Sequence, residues 1–202
     1  MDEFKEAIQQ QMLQAPVIGD IKERFENCKV HAINNGLVME FGVYSGATIQ
    51  TISEVFDGPI YGFDSWEGLP EDADDVPKGV GGSYHKGAFK ADRIITDNPN
   101  LVLFDGWFKD TLPPFAAEHK EVCRFIHVDS DNYNSAKDIF NNLHDRIVTG
   151  TVIQFDEFAA HEAWEYREFR AFKELVEQYN LGYECIHRCS GNERVAFKIT
   201  RN

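Results

Sequence analysis

Five short apolar runs constrain this chain more than anything else in it. LVMEFG from Leu37, PIYGFD from Pro59, LVLFD from Leu101, RFIHVD from Arg124 and TVIQFD from Thr151 each stop on a glycine or an aspartate. Runs this short and nearly unbroken suit strands buried on both faces of a parallel sheet. A helical pattern, SGATIQTISEVF, follows the first run, and SAKDIFNNLHDRI separates the fourth from the fifth. Two closing runs, YECIHR and ERVAFKIT around the turn CSGN, read as an antiparallel hairpin. Strands alternating with helices imply an α/β fold: a doubly wound, Rossmann-like sheet, mostly parallel, with an antiparallel C-terminal edge.

Residues 1–36 carry a different pattern. Phe4, Ile8 and Met12 fall four apart, and Ile21, Phe25 and Cys28 make a second helical stripe that NNG at Asn34–Gly36 stops. We expect residues 1–36 as an N-terminal helical extension and 37–202 as the ligand-binding domain, in one compact unit. The segment Glu67–Asn100 breaks the strand–helix rhythm with EDADD and KGVGGSYHKG, and helical turns are expected near Phe89–Ile95. A single amphipathic helix is expected over residues 160–179, with Trp164, Phe169, Phe172, Val176 and Tyr179 inward.

Charge narrows the partners. Twenty basic against 34 acidic residues leave a net charge of −14, and no Lys/Arg-rich run interrupts that field. A polyanion would be repelled, so nucleic acid is set aside. No apolar run approaches the roughly 20 residues that span a bilayer. MDEFKEAIQQQ lacks the basic and apolar regions of a secretory signal, so no membrane partner and a cytoplasmic location are expected. Cys28, Cys123, Cys185 and Cys189 then read as reduced thiols; Cys185 and Cys189 have no partners to complete a zinc site.

Ligands of doubly wound sheets bind beyond the carboxyl ends of the strands, where strand order reverses. The first run ends Glu40-Phe41-Gly42-Val43-Tyr44-Ser45-Gly46, an E-x-G-x-x-x-G turn. Gly42 permits a tight turn, Gly46 lets a ligand approach the helix start, and Ser45 offers a hydroxyl. Asp64, ending the second run, can accept the hydroxyl protons of a ribose. Glycine turns and helix-capping acids are common separately, and their combination is what points to a nucleoside. The spacing is not G-x-G-x-x-G, so a dinucleotide fits poorly. An adenosine ligand without a pyrophosphate, S-adenosylmethionine (SAM), fits better.

Four more acids follow the last two parallel runs: Asp129 and Asp131 in HVDSDNY, and Asp156 and Glu157 in QFDEF. Adjacent strands lie about 4.8 Å apart. Bare carboxylates at that spacing repel, and a divalent cation removes the conflict; oxygen-only ligands favour Mg²⁺ or Ca²⁺. The plainer alternatives are that Asp131 or Asn132 caps the helix near Ser135, and that Glu157 is a solvated loop acid.

With these residues in view, the chain resembles the macrocin O-methyltransferase family of class I SAM-dependent methyltransferases. The likeness runs from about Leu37 to Val176 and rests on EFGVYSGATI, YGFDSWEGLPED, DGWFKDTLP, IHVDSDNYNSAKDIF and FDEF…EFRAFKE, in that order. It implies a SAM-dependent O-methyltransferase, Mg²⁺-assisted, acting on a hydroxyl of a sugar or glycosylated small molecule. Glu40, Gly42 and Gly46 would shape the methionine end of the SAM site, with Ser45 beside them. Asp64, Ser65 and Trp66 would lie at the ribose, Asp105 and Gly106 at the adenine. Asp129 would bind the metal with Asp156 and Glu157, and Asp131 would act as general base. The pair departs from the family's Asp-Asp-Tyr: here it is Asp156-Glu157-Phe158. The same fold without metal, or a non-catalytic SAM- or nucleotide-binding module, are the alternatives. Acceptor specificity is expected in residues 67–100, the N-terminal helices and AAHEAWEYRE, where Trp164, His161, Tyr84 and His85 could line a pocket. Gly79–Gly87 reads equally as a closing segment or a plain loop, and the N-terminal helix pair suggests a homodimer.

Overall fold

β1 (Leu37–Phe41) is the third strand across a seven-stranded sheet, and strand order reverses beside it. From β1 the chain steps outward to β2 (Ile60–Asp64) and β3 (Leu101–Asp105), then returns to β4 (Cys123–Val128) and β5 (Val152–Phe155) on the other side. These five strands are parallel; β7 (Val195–Arg201) pairs antiparallel with β5 and with the edge strand β6 (Gly182–Arg188). The structure, a computed structural model, describes residues 2–70, 84–159 and 162–201.

Period-two alternation along each strand sends neighbouring side chains to opposite faces. Met39, Phe41, Ile126, Val128, Ile153 and Phe155 face one core, with residues of α1 (Glu3–Gln14), α4 (Phe108–Glu118), α5 (Tyr133–Leu143) and α6 (Glu168–Tyr179). Val38, Phe125 and Val152 face the other, under α2 (Ile21–His31) and α3 (Ala47–Val55). The two N-terminal helices thus cover opposite faces of the sheet, Ile8 and Met12 in one core and Phe25 and Cys28 in the other. The link between them runs along β6: Ile18 N donates to Arg188 O at 2.9 Å and Arg188 N to Pro16 O at 3.0 Å, covering an otherwise open edge. No helix among the described residues is long and apolar enough to cross a membrane.

Three local expectations need correction, and one helix escapes the sequence pattern. Residues 90–95 carry no regular secondary structure, helical or otherwise, and follow a turn at 86–89 in which Phe89 has φ +62°. Ile21 is 37% exposed, not inward. The helix expected over 160–179 begins only at Glu168; Trp164–Tyr166 is a separate 3-10 turn, broken off by Arg167 at φ −113°, ψ −125°. That break turns the Arg167 side chain inward, with its guanidinium 4.7 Å from the Tyr84 ring centre. Finally, α4 holds Pro113 and Pro114 within it, a pair that hides the helix from pattern reading. Each interior proline costs about 3 kcal/mol. Burial of Leu112 and Phe115, the latter against Phe63, Phe104 and Tyr61, offsets it.

Candidate active site

Register lines the strand ends up in one row. Asp105 pairs with Asp64, and Phe41 pairs with both Phe63 and Val128, so Gly42 follows between Asp64 and Asp129. Val128 pairs with Phe155 and Phe155 with Val195, which carries Asp156 beside Asp129 and Arg194 opposite Asp156. The row therefore reads Asp105, Asp64, Gly42, Asp129, Asp156, Arg194. The reversal of strand order falls between Gly42 and Asp129, where ligands of such sheets bind.

Gly42 is required by its neighbour. A Cβ there would stand 1.9 Å from the Asp129 carbonyl oxygen. Gly42 N donates to Phe63 O at 3.0 Å, and Asp129 N to Phe41 O at 2.9 Å, which locks the three strand ends together. At Gly46 a Cβ would meet Ile94 Cδ1 at 2.7 Å. The space expected for a ligand beside that glycine is taken by Ile94. Ser45 is exposed at the same turn.

Asp64 is more engaged than a free ribose acceptor. Its Oδ2 accepts from Val43 N and Tyr44 N, both at 2.8 Å, and its Oδ1 from Trp66 N at 2.7 Å. A carboxylate has about four lone-pair sites, which leaves room for about one further donor. Asp64 therefore knits the first two strand turns together and keeps room for one further donor rather than two. Ser65 Oγ is engaged locally by Glu67 N at 3.1 Å and Gly68 O at 3.3 Å. Trp66 is a buttress, its Nε1 donating to Asp105 at 2.9 Å; Arg93 Nε holds Asp105 from the other side at 2.8 Å. Glu40 is fully buried against His127, Oε1 to Nδ1 3.0 Å, and its Oε2 has no hydrogen-bond partner among the described residues. Burial raises the Glu40 pKa and His127 opposes the rise.

Asp129 and Asp131 lie close enough to Asp156, Glu157 and Glu168 to feel their charge. Burial, then repulsion from Asp156, Asp131, Glu168 and Glu40, holds the Asp129 carboxyl well above the usual range. Asp131 is pushed up to about 7 by burial and by Glu157, with Arg167 opposing. Asp131 also sits at φ +60°, a left-handed conformation that costs most side chains energy and that Asp tolerates better than most. Asn132, not Asp131, caps α5, its side-chain oxygen accepting from Ser135 N at 2.8 Å. Among the described residues neither Asp129 nor Asp131 has a side-chain hydrogen bond or ion pair.

The second pair is turned elsewhere. Arg194 grips Asp156 through both oxygens, Nε to Oδ1 at 2.7 Å and Nη2 to Oδ2 at 3.1 Å. Glu157 accepts from Tyr84 Oη at 3.3 Å and lies 3.7 Å from Arg167 Nη1. Pattern reading missed the residue that ties the two acidic turns together. Glu168, fully buried, accepts from Ser130 N at 3.1 Å and from Glu157 N at 3.4 Å. Burial and the nearby acids raise its pKa well above the ordinary carboxylate value, against the Ser130 amide. In the sequence Glu168 looks like an ordinary acidic first-turn residue of a helix.

A cleft of about 840 Å³ opens above the row. Gly42, Asp64, Ser65, Gly106, Asp129, Asp131, Asp156 and Glu157 line it; Glu40, Ser45, Gly46, Trp66 and Asp105 do not. Trp107, Phe108, Lys109 and Lys137 add a mixed aromatic and basic wall. Trp164 packs on Phe169 at 4.7 Å between ring centres instead of lining the cleft, and His85 is exposed. His161 and Gly79–Ser83 lie outside the described residues.

A doubly wound sheet with a carboxylate-lined cleft at its switch point is an α/β architecture of the kind that binds ligands at its strand ends. The comparisons with known proteins make that class specific. Residues 7–181 match the macrocin O-methyltransferase (TylF) family, and the chain belongs to it. It is 27% identical over 180 residues to mycinamicin III 3''-O-methyltransferase of Micromonospora griseorubida, covering 75% of this chain and 70% of that protein. With demethyldecarbamoylnovobiocin O-methyltransferase of Streptomyces niveus it shares 26% over 160 residues, 67% of this chain and 59% of that relative's length. The crystal structure of CalS11, a calicheamicin methyltransferase, has the same fold at a TM-score of 0.67 and 19% identity, covering 88% of this chain and 76% of that one.

Proposed function

We propose that this chain is a SAM-dependent O-methyltransferase acting on a hydroxyl of a sugar-containing small molecule, with Asp131 as general base. One observation carries the reading: Asp129 and Asp131 stand unpaired at the floor of the cleft, where clustered buried charge costs stability. Free and buried cysteines are in keeping with a reducing, cytoplasmic setting.

SAM would supply a methyl group on a sulfonium, a leaving group that needs little covalent help. The chain's own residues bind and orient. Gly42 keeps the first turn low enough for a ligand to lie on it, Asp64 takes one ribose hydroxyl, and the Gly106–Phe108 wall covers the base. Asp131, at the floor of the cleft, would take the acceptor's hydroxyl proton, while the bound donor would give up its methyl group and leave as the neutral thioether. Positioning supplies most of the rate, since well-oriented reactants reach effective molarities on the order of 10⁵ M.

The donor set also suits a hard cation: Asp129, Asp156 and Glu157 are all-oxygen ligands, and the Arg194 guanidinium already stands on Asp156 as a cation. These residues would hold Mg²⁺, which when bound lowers the pKa of a substrate hydroxyl. Among the described residues no three acids are grouped as they stand to hold an ion. A second reading, the same transfer without metal, is favoured by Arg194 neutralising Asp156. Turnover after exhaustive chelation separates the two. Calorimetric titration with SAM, then a methyl-transfer screen on sugar acceptors, tests the activity; absence of both SAM binding and transfer would overturn it.

A further inference from the structure

Arg194 is unusual in where it comes from. It lies at the entry to β7, beyond the parallel half of the sheet, and the antiparallel register delivers it to Asp156. Its fork takes both carboxylate oxygens, the strongest geometry available to this pair. Neither side chain is deeply buried, at 37% and 20% exposure, so the contact can open. The backbone need not move with it: Asp156 N donates to Val128 O at 2.9 Å and Phe158 N to Glu193 O at 2.7 Å, which fixes the main chain on both sides. Only the Asp156 side chain has to rotate. Asp129, one strand away, has no side-chain partner among the described residues.

We propose that Arg194 is a latch on the acidic edge: it competes with a divalent cation for Asp156, and the cation site between Asp129 and Asp156 assembles only when the guanidinium lets go. The inference rests on the metal reading given above. It makes Arg194 a positioning residue, acting through Asp156, and it explains why acids that meet in space are not grouped around a common point. The arginine takes one lone pair on each Asp156 oxygen, and a doubly charged ion at the lone pairs that remain would stand against its positive charge. The latch therefore lowers the affinity for the ion while keeping the empty edge partly neutralised.

The test is Mn²⁺ binding, followed by electron paramagnetic resonance on the chelator-treated full chain, in the wild type and in Arg194→Gln. The expected result is about tenfold tighter binding in the variant, equivalent to about 1.4 kcal/mol. A second measurement follows the Arg194 Nε–H resonance of the wild type as diamagnetic Mg²⁺ is added; it should move toward that of a free guanidinium. Equal Mn²⁺ affinity in the two proteins overturns the latch and leaves the metal reading standing. Tighter binding with an unmoved Arg194 resonance makes the effect one of overall charge and also overturns the latch. If neither protein takes up Mn²⁺, the metal reading falls and the latch with it. Thermal melting of Arg194→Gln, expected within a few degrees of wild type, verifies that the variant is folded.

Discussion

Gly42→Ala should do damage out of proportion to its size, and the reason can be separated into two parts. Gly42 has φ +95°, a conformation that costs a residue with a Cβ about 1–2 kcal/mol. The second part is contact. The new methyl would stand 1.9 Å from the Asp129 carbonyl oxygen and 2.9 Å from its carbon, both backbone atoms that no side-chain rotation can remove. Relief requires the end of β1 at Gly42 to be displaced by about 1 Å or more, which disrupts the Asp129 N to Phe41 O bond toward β4 and the bond from Gly42's own N to Phe63 O on β2. At about 1 kcal/mol each, these bring the total to about 3–4 kcal/mol. Gly58 provides the control, having φ +90° with nothing within 4 Å of its added Cβ, so Gly58→Ala should lose the conformational part alone. Urea denaturation of both variants gives the difference, expected near 2 kcal/mol, and SAM titration of Gly42→Ala should show weakened binding as the turn lifts. Equal losses in the two variants would refute the contact argument, and with it the claim that β1 and β4 are locked at the site.

Other perturbations address the chemistry and the charge. Asp131→Asn should lower methyl transfer by at least about 10²-fold, the usual contribution of a general base, while SAM affinity stays within about twofold; unchanged turnover removes Asp131 from the mechanism. Glu168→Ala leaves the Ser130 and Glu157 amides without their acceptor, each worth about 1–3 kcal/mol; the melting temperature should fall, and an unmoved one contradicts the tying role. His187 is fully buried, and burial, with help from Arg24 and His31, lowers its pKa from 6.5 to about 4. Between those values the unfolded chain binds a proton that the folded chain refuses. The stability from neutral His187 is therefore present above about pH 6.5 and lost as pH falls toward 4, by about 1.4 kcal/mol per unit. Denaturation of wild type and His187→Gln at pH 7 and 4.5 should show that loss in the wild type only.

What could be read from the residues is what local physics writes into them. The five strand runs, the hairpin and the stripe of α5 are periodic signals spanning a few residues each, and they imply a doubly wound sheet without reference to anything distant. Because strand ends carry ligands in such sheets, Asp64, Asp129, Asp131 and Asp156 were legible as candidates too. The α4 helix was not, since Pro113 and Pro114 argue against helix locally and only packing of Leu112 and Phe115 overrides them.

Partnership is a different matter. Whether an acid is free or occupied depends on which residues the register brings beside it, and register is a property of the assembled sheet. Asp64 spends most of its lone pairs on the turns it joins, Ile94 takes the space beside Gly46, and Glu168 ties two loops across 38 residues of chain. Arg194 reaches Asp156 across another 38 because β7 runs antiparallel to β5. The sequence alone thus determined the sheet and where its charges end up; only the tertiary structure decided which of those charges are satisfied, because that depends on neighbours no local pattern encodes.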